Sequence, residues 1–334
     1  MANANRRIAS SAAFSALSQD QLNAMRQSNL GHRLLALSKD FEHRLLALYA
    51  LSGYDDIRPL HGSVLRNLEL EGTLVTVLAQ RAGITHRAIA KIIQDLEQLG
   101  YVQRLADKVD RRATRIWFSE QGLRLLRDSS LLIAQVIGFY KARLGDEQVF
   151  GLEQALKRII ISLDINIAAT GQQALVNQPP TSEKYLVSHN MGRYLAELAD
   201  NYALRCLALM EVKNHFGIQI GHTAVLSHLG VEGMPQRQLA EAAGISQQAI
   251  GKQVRSLQEL GYITVSSDTV DKRVRRVNFS HKGYAFIDDL AVCFEQIKLD
   301  YIKKIGVADF ENLLTKLQLF INGLNLNVPA TESH

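Results

Sequence analysis

Residues 78–122 read LAQRAGITHRAIAKIIQDLEQLGYVQRLADKVDRRATRIWFSEQG, and residues 239–283 read LAEAAGISQQAIGKQVRSLQELGYITVSSDTVDKRVRRVNFSHKG. Shifted by 161 residues, the two align without a gap and share 20 of 45 positions. The register extends upstream, pairing Asn29 with Asn190, Arg44 with Arg205, His61 with His222 and Leu65 with Leu226. A period this long lies far beyond solenoid repeats, so one chain holds two copies of one domain. Between them TGQQALVNQPPTSEK, residues 170–184, is polar and contains Pro179 and Pro180, which favour extended backbone and stop a helix. The expected organisation is an N-terminal extension over 1–28, a first domain over 29–169, a linker over 170–182, a second domain over 183–326 and a tail over 327–334.

A chain of 334 residues suits two domains, each able to bury a core. No apolar run approaches the roughly 18–20 residues of a membrane helix. The opening MANANRRIASSAAFSALSQ sets an arginine pair before a serine-interrupted, mildly apolar stretch. It reads as a mobile lead-in, with a targeting signal the alternative. Two distant cysteines, Cys206 and Cys293, make no disulfide framework and fit a reducing, cytoplasmic setting. Both sit in apolar helical phrases and read as core residues.

Each copy follows one order. The phrase LLALSKDFEHRLLALYAL places apolar residues at spacings of three and four, which predicts a long helix near 29–51. A shorter helix follows Pro59, an extended piece lies near 73–75, and a small helix over 77–82 is ended by Gly83. Thr85 then caps a helix whose buried stripe is Ala88, Ile89, Ile92, Ile93, Leu96 and Leu99. Residues 101–105 and 115–118 form a hairpin around the basic stretch, and two apolar helices follow near 119–143 and 147–168. Helix, glycine turn, helix and basic hairpin in this order describe a winged helix-turn-helix module. The fold class is therefore mainly α with small β-wings.

The hairpin phrase identifies a resemblance to the MarR family of bacterial transcription regulators. Its pattern is matched at Asp107, Asp110, Arg111, Arg112, Ile116, Phe118, Ser119 and Gly122, and again at Asp268, Asp271, Lys272, Arg273, Val277, Phe279, Ser280 and Gly283. The phrase from Arg58 to Leu65 is similar to the family's second helix. The resemblance covers nearly all of the chain beyond the extension, linker and tail. Family members are usually single-domain homodimers, so here it implies both halves in one chain. The expectation is two winged domains packed as an intrachain pseudo-dimer, acting as a monomer.

Charge concentrates where such a module meets DNA. Residues 85–115 hold seven Lys/Arg against four Asp/Glu, and residues 246–276 hold six against three. These segments account for the chain's net charge of +5, as a phosphate-binding face would; charge that merely solubilises a hairpin is the alternative. In helix-turn-helix docking the second helix enters the major groove with its N-terminal residues. The candidate readers are His86, Arg87, Ala90 and Lys91, and in copy two Gln247, Gln248, Gly251 and Lys252. Arg pairs with guanine and Gln with adenine, so double-stranded DNA with two unequal half-sites is the expected partner. The resemblance implies that Arg112 and Arg273 enter a minor groove, with Arg111, Lys272 and Arg275 beside them on the wings. Asp110 and Asp271 are read as holding Arg115 and Arg276, with ordinary turn chemistry as the alternative.

The resemblance also implies a small aromatic or anionic effector between helical region and winged lobe. Candidates are Arg44, His61, Arg205 and His222, although a helix-start hydrogen bond explains the histidines equally well and a salt bridge the arginines. His215, His222 and His228 are close in sequence, but the separation of the last two puts them on different helix faces, so no metal site is expected. No phosphate loop, HExxH, GxSxG or Cys-x-x-Cys motif occurs, and neither an enzyme nor a cofactor is expected. The favoured reading is a repressor released by ligand; the alternative is a winged-helix adaptor or antirepressor without its own operator.

Overall fold

The computed structural model describes residues 18–106, 114–165, 191–267 and 274–326. In copy one the helices are α1 (Gln19–Ser28), α2 (Leu30–Leu51), α3 (Gly62–Leu65), α4 (Val75–Ala82), α5 (His86–Gln98), α6 (Glu120–Leu144) and α7 (Asp146–Ser162). The strands are β1 (Thr73–Leu74), β2 (Val102–Ala106) and β3 (Thr114–Phe118). Copy two supplies α8 (Met191–Val212), α9 (Thr223–Leu226), β4 (Met234–Pro235), α10 (Gln236–Ala243), α11 (Gln247–Glu259), β5 (Ile263–Ser267), β6 (Arg275–Phe279), α12 (His281–Ile305) and α13 (Val307–Gly323). Each copy folds one antiparallel three-stranded sheet, in the orders β1-β3-β2 and β4-β6-β5.

The described residues fall into two compact units. One comprises the described residues of 37–197 and 315–324; the other comprises those of 18–36, 198–314 and 325–326. Each unit thus holds one winged module together with helical pieces from the other copy.

In the unit of residues 37–197 and 315–324, Leu78, Ile89, Ile93, Leu96 and Ile116 are fully buried around the helix-turn-helix. Gly83 ends α4 at φ 63°, a left-handed value that glycine adopts without strain. The hairpin pairs Val102 with Phe118 and Arg104 with Ile116, and Ile116 and Phe118 turn to the core. The Ser-x-x-Gly ending of the repeated phrase is a joint. The Ser119 hydroxyl caps α6 by accepting from the Gly122 N–H at 3.0 Å and donates to the Gly100 carbonyl. A Cβ on Gly122 would lie 2.0 Å from the Tyr101 carbonyl oxygen, so only glycine lets α6 start there. Helix α7 stops at Ser162, short of the expected 168, where Asp164 takes φ 53° and the Ile165 N–H reaches back to Ile160.

The other unit builds an equivalent core from Leu239, Ile250, Leu257 and Val277. Its Ser280 and Gly283 repeat the joint. Within the expected N-terminal extension, residues 19–28 form helix α1, while nearly all of the opening stretch read as a lead-in lies outside the described residues. Ser18 and Gln21 form a reciprocal capping box. Leu22 is fully buried in the second winged core, with Met25 packed on it. The buried Arg26 guanidinium donates to the carbonyls of Leu226 and Leu229, both at 2.8 Å, which satisfies acceptors left open beyond the last turn of α9.

Candidate nucleic-acid interface and cavity

Thr85 starts α5 by accepting from the Ala88 N–H at 3.2 Å, and Ser246 does the same for α11 with Ala249. These caps leave the first turns projecting outward. His86, Arg87 and Lys91 are exposed and Ala90 half-buried; Gln247, Gln248 and Lys252 are exposed and Gly251 half-buried. Ala88, expected in the buried stripe, is exposed instead. The core stripe narrows to Ile89, Ile93 and Leu96, with Ile92 at its margin.

Two further cations join these faces. Arg104 on β2 donates to Glu97 at 2.8 Å and so lies against α5, and Arg255 is exposed on α11. Pattern reading missed Arg104 because the alternation of β2 breaks down after Val102, leaving residues 103–106 exposed on both faces. On the wings, Asp110, Arg111, Arg112, Asp271, Lys272 and Arg273 lie outside the described residues. Arg275 is exposed at the start of β6. Arg115 donates to the Gly72 carbonyl at 2.7 Å, and Arg276 to those of Glu232 and Gly233 at 3.1 Å. Both arginines thereby tie the central strand to the turn before the sheet's first strand.

None of the four candidate effector residues lines the cavity described below. His61 is fully buried, and its Nδ1 accepts from the Arg58 N–H at 3.2 Å. That bond puts the proton on Nε2, which donates to Asp95 at 2.9 Å. The hydrogen bond from His61 holds the Asp95 carboxyl below its ordinary range. His222 repeats the arrangement, accepting from Gln219 N–H at 3.1 Å and donating to Ser256 Oγ at 3.0 Å. The histidines therefore brace α5 and α11 respectively. Arg44 pairs with Asp40 at 2.7 Å and lies 3.9 Å over the Phe139 ring, while Arg205 lies 5.3 Å from the Tyr301 ring centre.

His215 bonds Asp289 at 3.0 Å, and His228 contacts the Ala224 carbonyl at 3.1 Å. Among the described residues no three His, Cys, Asp or Glu side chains are grouped to hold a metal ion. Burial pushes the Cys206 thiol up to about 12 and raises that of Cys293 as well, which leaves neither as a thiolate near neutrality.

A cavity of about 210 Å³ does open within the unit of residues 37–197 and 315–324. Its walls come from α2, from the segment 57–66, from Phe118, from α6 and from the start of α8. They are mainly apolar, with Phe41, Leu45, Leu65, Leu126 and Ile133 prominent. Three cations, Arg58, Arg66 and Arg193, and one acid, Glu42, share the lining. The Arg193 side chain is 10% exposed and donates to the Arg66 carbonyl at 2.5 Å, with its nearest acid, Glu197, at 3.8 Å. Its Nε–H is buried without a hydrogen-bond partner among the described residues. Burial lowers this guanidinium to about 10, which still leaves it charged. No helix among the described residues is long and apolar enough to cross a membrane.

The MarR family model matches residues 55–113 and again residues 216–274, the two helix-turn-helix and hairpin regions. The HTH-type transcriptional regulator TcaR of Staphylococcus aureus strain Newman is 20% identical over 139 residues, which make up 41% of this chain and 91% of that protein. Among solved structures, a MepR mutant from S. aureus is 14% identical and covers 41% of this chain and 99% of its own, with a TM-score of 0.34. CouR from Rhodococcus jostii, solved bound to p-coumaroyl-CoA, is 18% identical over 41% of this chain and 94% of its own, with a TM-score of 0.33.

Proposed function

Because this chain carries two MarR-family domains in tandem, we propose that it is a sequence-specific double-stranded DNA-binding transcription regulator whose two copies read two unequal half-sites. The observation that carries this is the pair of outward-facing first turns: His86, Arg87 and Lys91 on α5 against Gln247, Gln248 and Lys252 on α11. A guanidinium suits the acceptor pair of guanine, and an amide suits the donor and acceptor of adenine. Lysines at the next turn and the wing cations supply sequence-independent phosphate attraction. One chain would act as a pseudo-dimer, its second reader held at high effective concentration by the first. In this reading the regulator is a repressor, relieved when a small anionic or aromatic molecule enters the cavity beside α2 and α6.

Footprinting of genomic fragments bound by the full chain tests the reading. Arg87→Ala should relax protection and sequence preference in one half of the site, and Gln248→Ala in the other, each by about 1–3 kcal/mol of discrimination. Arg112→Ala combined with Arg273→Ala should weaken all sequences alike and flatten the salt dependence. A footprint that ignores all four substitutions refutes the reading and leaves an adaptor without an operator.

A further inference from the structure

The inner face of α12 is committed to the core. Cys293, Ile297 and Tyr301 are buried, and the Phe294 ring, standing where copy one has Ile133, lies 6.4 Å from the His32 ring and 6.1 Å from that of Tyr202. On the outer face Val292 and Leu299 are 57% and 58% exposed, seven residues apart and so on one side of the helix. Single exposed apolar side chains are ordinary; the charges around this pair are what set the face apart. Asp288 stands four residues before Val292, and Lys303 four residues after Leu299. Among the described residues neither is held in an ion pair. Burial and the neighbouring Asp289 raise the Asp288 carboxyl above its ordinary range. At the centre of the face, Glu295 is neutralised by Lys298 at 3.2 Å, and Gln296 donates to Asp300 at 3.1 Å. Copy one holds Arg127, Leu131, Gly138 and Ala142 at the positions of Asp288, Val292, Leu299 and Lys303. Its helix α6 therefore has neither the acid nor the second large apolar residue there.

We propose that this face of α12 docks on the same face of a second copy of the chain, the two helices antiparallel about a two-fold axis that passes between Glu295 and Gln296. In that register Val292 of each chain meets Leu299 of the other, Asp288 meets Lys303, and Glu295 meets Gln296, so every contact occurs twice, as an isologous interface requires. The acid and the base lie about 22 Å apart along the helix, at a rise of about 1.5 Å per residue. A partner of one sign would match one end of the face and oppose the other, whereas the same helix run in reverse matches both. The facing ammonium also offsets the two causes that raise the Asp288 carboxyl. On α6 the same register would set Arg127 against Ala142 and Leu131 against Gly138, which gains nothing, so association closes at two chains. One helix face buries little area, which places the dimer among weak, concentration-dependent complexes. The inference goes beyond the DNA-binding reading and does not depend on it.

Sedimentation velocity of the full chain from about 1 µM to about 200 µM tests this. The mass should rise with concentration from the 37.2 kDa of one chain towards twice that value. Leu299→Glu should weaken self-association about tenfold or more, because it buries a carboxylate among apolar groups, while the melting curve stays that of the parent. Asp288→Lys and Lys303→Asp should each weaken it, and the two together in one chain should restore it. Chains carrying Val292→Cys, mixed with chains carrying Leu299→Cys, should form a disulfide-linked pair faster than either variant alone. A single-chain mass across the whole range overturns the proposal, as does a dimer indifferent to Leu299→Glu. A dimer that the double charge reversal fails to restore, or that gives no faster cross-linking in the mixture, overturns the antiparallel register.

Discussion

Replacing Gly122 by alanine should destabilise the chain, although alanine is the better helix former. On the ideal backbone its Cβ would stand 2.0 Å from the Tyr101 carbonyl oxygen and 3.1 Å from the Phe118 ring, where ordinary contact begins at 3.4 Å. The obstructing atom is backbone and cannot rotate away, so the N-terminus of α6 must retreat from the turn that joins α5 to β2. Overpacking of this kind costs about 1–3 kcal/mol, against a helix-propensity gain of up to about 1 kcal/mol. The net loss reaches up to about 3 kcal/mol, or up to roughly 12 °C for a unit of this size. Gly283, whose Cβ would lie 2.1 Å from the Tyr262 carbonyl oxygen, should behave alike. Gly138 on the same helix α6 has open space where its Cβ would go, so Gly138→Ala should raise the melting temperature slightly. Thermal and urea denaturation of the three variants supply the comparison. Should Gly122→Ala melt at or above Gly138→Ala, the steric account of the Ser-x-x-Gly joint is wrong.

Other expectations follow from the same geometry. Leu22→Ala should cost about 2–5 kcal/mol by urea denaturation, because it opens a void in the second winged core; a loss under 1 kcal/mol would return α1 to the status of a loose extension. His32 has a folded-state pKa near 4 against an ordinary 6.5, so the unfolded chain binds its proton first. The stability it confers is complete above about pH 6.5 and is lost towards pH 4, by up to about 3 kcal/mol; His32→Leu should flatten that part of the pH profile, and an unchanged profile would count against the burial. Asp95→Asn keeps an acceptor for the Nε2–H of His61 and should alter DNA affinity little, whereas His61→Ala removes a fully buried brace and should cost about 2–4 kcal/mol of stability. Equal effects in a melting assay would contradict the assigned tautomer.

The winged modules were legible because local signals carry them: a three-and-four apolar spacing, Gly83 at a left-handed turn, Thr85 and Ser119 as caps, and alternation in β3. The resemblance to a known family added the expectation of DNA contact to elements already drawn. Helix α1 escaped notice because a short helix that buries Leu22, Met25 and the stem of Arg26 has too few apolar residues to stand out from polar sequence. The cavity escaped for a different reason. Its walls converge from residues 38–49, 57–66, 118–133 and 192–196, and no local pattern reports that meeting. Arg44 and Arg205 were chosen for charge on a long helix, and the i,i+4 partner Asp40 already held the signal that Arg44 was engaged. Arg193 could have been found by asking which cations one copy has and the other lacks.

Phe294, wedged beside His32 and Tyr202, bears on how such a protein can change. In a protein that pairs with an identical copy, every substitution lands twice, so a ring added to one half is added to both. A fused gene breaks that bond: a ring placed in one half leaves the other half open. Selection can then firm up the core of one copy and alter the surface of the other, and either wing can drift without dragging its twin along.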